Sequence, residues 1–178
     1  MGTDLNQTTN DISTTTDNSS APTPPSVRLI PWLDEETATA VADITRSVAE
    51  QHPEVQAVIL FGSVARQEER SLDDHQPSDV DLLYVLDVTA LDPTATRLSR
   101  EQDLALIHTI GEADYRHRAP REIKSLFIYC DLERWDPMFI ENVARDGILL
   151  WSRAPLPPPF APIVERAARD LVESYRAE

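Results

Sequence analysis

The chain has 178 residues, 41% of them hydrophobic, and 16 basic residues against 31 acidic ones give a net charge of −15. That length suits one domain with a real core, and so acidic a surface repels a phosphate backbone, which excludes broad binding of long nucleic acid. No apolar run reaches the length of a membrane span, and the N-terminus lacks an apolar leader. The expectation is a cytoplasmic protein with no membrane attachment.

Residues 1–26 are rich in Thr, Asn, Ser, Asp and Pro and hold little that could be buried, so a disordered polar tail is expected there. The folded domain spans 27–154. Leu33, Thr37, Val41, Ile44 and Val48 recur at helical spacing, which predicts a helix over 35–51 with Asp34 as its N-cap and Pro53 beyond its end. His52, just after it, falls in a loop and is expected to face solvent, as is His75. The apolar run 56–61 reads as a strand buried on both faces. Gly62-Ser63 then makes a tight turn, a short helix follows over 63–68, and a polar loop covers 69–78.

A second strand, 79–86, opens with Asp79 and Asp81. A helix over 98–117 is expected to bury Leu104, Ile107 and Ile110, and the basic connector Arg116–Arg121 follows it. A third strand is predicted over 122–130. The next helix, 133–145, would place Trp135, Met138, Phe139 and Val143 on one face. Gly147 stops it, and a short fourth strand covers 148–151. Residues 155–178 form a proline-rich link and a last helix over 163–176. Few strands intermixed with helices predict an α+β fold with a small mixed β-sheet flanked by helices. Cys130, the single cysteine, excludes an internal disulfide and a Cys-based zinc site, and it is expected to pack inside.

One stretch, Val58–Leu86, calls for a chemical explanation. Strand side chains alternate, so Asp79 and Asp81 leave the same face of the sheet. Paired carboxylates suit a hard divalent cation, which keeps water and substrate phosphates in its shell. The glycine of the Gly62-Ser63 turn permits close backbone approach, and the serine offers a hydroxyl. Together these residues point to a metal–phosphate site.

Gly62-Ser63, Ala65-Arg66 and Ser78-Asp79-Val80-Asp81-Leu82 resemble the signature of the DNA polymerase β-type nucleotidyltransferase superfamily, in particular its minimal nucleotidyltransferase (MNT-like) domains. The resemblance extends from the first helix to Trp151. It implies that Asp79 and Asp81 are catalytic and bind Mg²⁺. It further implies that Gly62, Ser63, Arg66 and Ser78 bind the nucleotide, expected to be ATP. The implied reaction moves a nucleoside monophosphate to a hydroxyl of a protein or small molecule. Some MNT-like domains are antitoxins that adenylylate a HEPN-type toxin, so a protein partner of that kind is a second expectation. It carries an alternative reading, a catalytically impaired nucleotide-binding or antitoxin-like protein.

Three departures stand out. The loop after Arg66 is long and lacks the glycine usual directly after the arginine, Gln67 standing there instead. The family's third carboxylate should lie on the third strand, yet none is found within Ile123-Lys124-Ser125-Leu126-Phe127. Lys124, the only lysine, occupies about that place, where it can pair with Asp79 or Asp81. The connector Arg116–Arg121 either meets phosphates at the rim or balances acids such as Glu112 and Asp114.

Overall fold

The computed structural model describes residues 26–132, 135–153 and 155–177, the last seven by backbone alone. The expected tail lies outside the described residues except for Ser26.

Nine principal elements follow in order: α1 (Glu35–Gln51), β1 (Val55–Phe61), α2 (Gly62–Ala65), β2 (Val80–Leu86), α3 (Arg100–His117), β3 (Ile123–Tyr129), α4 (Pro137–Asp146), β4 (Ile148–Ser152) and α5 (Ala161–Ala177). The strands form one sheet in the order β3-β2-β1-β4. β1 runs antiparallel to β2 and β4, whereas β2 and β3 are parallel. Parallel neighbours require a crossover, and α3 supplies it. The expected α+β fold with a small mixed sheet and flanking helices is the one observed.

Local chemistry explains the element ends. The Asp34 carboxylate accepts the Thr37 N–H at 2.9 Å and starts α1. Ser99 and Gln102 form a reciprocal capping box at α3. α4 begins at Pro137, later than predicted, because Asp136 caps it through the Met138 N–H and proline suits the first helical position. Residues 133 and 134, where that helix was expected to begin, lie outside the described residues.

The sheet divides the interior into two cores. Val58, Leu60, Leu82, Tyr84 and Leu86 face α1 and α3, where Ile44, Val48, Leu106 and Ile110 meet them. Ile59, Leu83, Val85 and Ile128 face the other way, onto Ile140, Val143, Phe160 and Ile163. Complete burial of a side chain such as Phe160 contributes roughly 2–3 kcal/mol.

Two helix faces differ from expectation. On α3, Leu104 and Ile107 are exposed, while Leu106, Ile110 and Ala113 turn inward. Apolar residues flank both sides of this helix, so the spacing alone fits more than one face. On α4, Met138 is exposed and Ile140 takes the inward position with Val143. His52 is also not solvent-facing. It is buried, with Nδ1 3.0 Å from Glu54 Oε1 and Nε2 2.9 Å from Thr109 Oγ1. Cys130 is half-buried, and burial pushes its thiol up to about 11, which makes it a packing residue at neutral pH.

Candidate functional site

Strand parity decides which side chains can meet at the end of the sheet. Phe61 and Asp81 are register partners across β1 and β2, and Asp81 and Lys124 are partners across β2 and β3. Asp81 shares the parity of Leu83 and Val85, and Lys124 shares that of Leu126 and Ile128. All three therefore belong to the face that α4 and α5 cover further along the sheet. Asp79, two residues before Asp81, joins them at the strand entry.

The turn at Gly62 is shaped around Asp81. Gly62 adopts φ 78°, a left-handed conformation that favours glycine. A Cβ at this position would run into Asp81 Oδ2, so two independent constraints select the same residue. Packing holds the turn from behind, where Val64 is fully buried and its carbonyl accepts the Trp32 indole N–H at 3.0 Å. Ser63 follows on the same turn and is half-buried. Gln67 keeps the left-handed backbone, φ 57°, at the place where a glycine was missed in the sequence. The chain thus retains the turn there at the steric cost of a side chain.

The charges are unevenly distributed. Lys124 Nζ donates to Asp79 Oδ2 in an ion pair, which holds the ammonium above its ordinary value. Burial raises the Asp81 carboxyl above the usual carboxylate range, and Asp79 beside it raises it further, while Lys124 acts in the opposite sense. Asp81 is therefore the less compensated acid of the pair. Two carboxylates converging on one strand end suit a single hard cation. Among the described residues, no group of three or more His, Cys, Asp or Glu side chains comes together to form a fuller cage.

The remaining sequence candidates are placed differently. Arg66 is exposed and donates to Glu68 Oε2 at 2.7 Å. It lines a cavity of about 480 Å³ beside α2, together with Arg145, Asp146 and Arg166, and neither Asp79 nor Asp81 reaches that cavity. Ser78 is buried, and its hydroxyl accepts the Arg70 N–H at 2.8 Å. That bond ties the hydroxyl to the 70–78 loop, so Ser78 helps to hold the loop that leads into Asp79.

Sequence reasoning missed Arg121. It is buried and donates from Nη1 to the carbonyls of Arg70 at 2.9 Å and Ser78 at 3.0 Å, while Nε lies 3.4 Å from Asp34 Oδ2. One guanidinium thus fixes both ends of the 70–78 loop to the start of α1 and sets where Asp79 emerges. Arg116 and His117, from the same connector, meet Asp43 at 2.9 Å each. Their ion pairs are with an acid on α1, and His117 also acts through space on the Asp114 carboxyl.

A sequence model of the family described as "Polymerase beta, Nucleotidyltransferase" matches residues 44–156. The match bears out the resemblance carried by the Gly62-Ser63 turn and the two aspartates. No curated protein matches the sequence. Among solved structures, one described as a toxin-antitoxin with AMP-PNP is 15% identical, covers 81% of this chain and 94% of its own, and has a TM-score of 0.42. A Sulfolobus solfataricus protein assigned as a nucleotidyltransferase is 16% identical, with 66% and 84% covered and a TM-score of 0.40. A mutant of the toxin-antitoxin MntA-HpeT is 16% identical, with 82% and 93% covered and a TM-score of 0.41.

Proposed function

The chain belongs to the polymerase β nucleotidyltransferase family, and we propose that it transfers AMP from Mg-ATP to a hydroxyl of a protein or small molecule in the cytoplasm. The acceptor oxygen attacks the α-phosphorus, the bond to pyrophosphate breaks, and the acceptor proton leaves to solvent. The observation that carries this reading is the Asp81 carboxylate packed against the Gly62 turn, with Asp79 close enough to raise the Asp81 carboxyl. Asp79 and Asp81 hold the cation, Gly62 admits the phosphates, and Ser63 donates to a terminal phosphate oxygen. Arg66 swings from Glu68, an exposed ion pair worth little, to support the phosphate chain. Bound Mg²⁺ supplies charge neutralisation for the triphosphate and its leaving group.

A second reading has its own observation. The Lys124–Asp79 ion pair takes up part of the carboxylate capacity, which favours a nucleotide-binding protein with impaired turnover that serves a protein partner, a HEPN-type toxin being one such partner. Incubation with ATP labelled at the α-phosphate, Mg²⁺ and candidate acceptors separates the two. Label on an acceptor that is lost in Asp79→Asn supports transfer, and nucleotide binding without label supports the second reading. A chain that binds neither nucleotide nor Mg²⁺ sinks both.

A further inference from the structure

We propose that Lys124 is a built-in cation of this centre: its ammonium supplies one of the two positive charges that the aspartate pair can accept, so that a single divalent cation accompanies the bound nucleotide. This rests on the nucleotide-site reading above and specifies the charge arrangement within it.

The backbone carries the first part of the argument. Lys124 stands opposite Asp81 in the parallel register, and the ladder is closed beside it by the Val80 N–H on the Glu122 carbonyl at 2.8 Å. The lysine Cα is therefore fixed relative to both acids, so only its side chain must be ordered to reach Asp79. Arg121 fixes the residue preceding Asp79 through the Ser78 carbonyl, so the acceptor is held as firmly as the donor's backbone.

Charge carries the second part. Asp79 and Asp81 bring two negative charges and Lys124 one positive charge, leaving one negative charge for an incoming ion to meet. One divalent cation converts that balance to a single positive charge, which suits an anionic triphosphate. A second divalent cation on the same two carboxylates would be pressed against an ammonium within ion-pair distance of Asp79. Two-metal phosphoryl transfer needs positive charge at both the attacking and the leaving oxygen. Here one of those charges is covalently attached to β3.

The test counts cations. Mn²⁺ is titrated into the full chain and followed by electron paramagnetic resonance, with and without a non-hydrolysable ATP analogue, for wild type, Lys124→Met and Lys124→Glu. The expected result with the analogue is one Mn²⁺ in wild type and two in Lys124→Glu. Without nucleotide, Lys124→Met is expected to bind Mn²⁺ roughly tenfold tighter than wild type, because a charge in contact with the site has been removed. Two Mn²⁺ in wild type, or an unchanged affinity in Lys124→Met, overturns the inference while leaving a nucleotide site standing. An analogue that binds no variant, alongside the tightened Mn²⁺ affinity in Lys124→Met, supports the lysine's role and removes the nucleotide reading.

Discussion

Arg121 and Lys124 lie three residues apart at the entry to β3, and their surroundings differ sharply. The Arg121 side chain is 7% exposed, bonded to two carbonyls and close to the α1 cap. The Lys124 side chain is 51% exposed and meets one carboxylate on the opposite face of the sheet. The first cation is part of the fold and the second is part of the site. A buried guanidinium that leaves takes its partners' hydrogen bonds with it, whereas an exposed ammonium that leaves lets water replace it. The same contrast separates the closed α1 face of the sheet from its charged edge.

The contrast can be broken experimentally, beginning with the largest effect. Arg121→Ala should destabilise by about 3 kcal/mol, since two carbonyls lose their donor and the buried Asp34 carboxylate oxygen loses its counter-charge. Chemical denaturation measures this, and a loss below about 1 kcal/mol would show that water enters the loop freely. Gly62→Ala should cost roughly 2 kcal/mol through its left-handed backbone and the displaced Asp81 carboxylate. It should also weaken nucleotide binding in the same titration, so an undisturbed midpoint would mean that Asp81 simply moves aside.

Glu54 tests the closed face by pH. Burial raises its carboxyl, but the hydrogen bond with His52 and further contacts bring it below the ordinary glutamate range. A depressed folded value stabilises above the unfolded value and loses that contribution as pH falls through the folded one. Wild type should therefore lose about 1 kcal/mol more than Glu54→Gln as pH drops below about 4.3, an amount set by one buried hydrogen bond to a charged group. Parallel curves for the two proteins from pH 7 to pH 3 would contradict this. The smallest effect sharpens the comparison most. Lys124→Met should leave the denaturation midpoint nearly unchanged, as loss of an exposed pair does, and a large loss in the same denaturation would place Lys124 with Arg121.

Much of this fold was legible because short-range rules govern it. The N-cap of α1, the doubly buried β1 and the shared face of Asp79 and Asp81 follow from capping chemistry and a period of two. The Gly-Ser turn could be read, and so could a pairing of Lys124 with one of the aspartates. What escaped depends on distant partners. His52 looked like a loop residue because Thr109, 57 positions away, completes its bonding. Arg121 looked like one member of a basic run, although its partners lie in the 70–78 loop and at Asp34. Ser78 sits beside the aspartates in sequence, but its hydroxyl is taken by a residue eight positions earlier. The inward face of α3 was missed because Leu104, Leu106, Ile107 and Ile110 make more than one stripe.

The close fit between Gly62 and Asp81 also constrains how such a chain can diverge. A larger residue at 62 must both displace the Asp81 carboxylate and strain a left-handed backbone, and a smaller residue at 81 relieves only the first of these. Substitutions at the two sites are consequently non-additive. Loss of the Asp81 carboxylate therefore softens the demand for glycine at 62 without abolishing it.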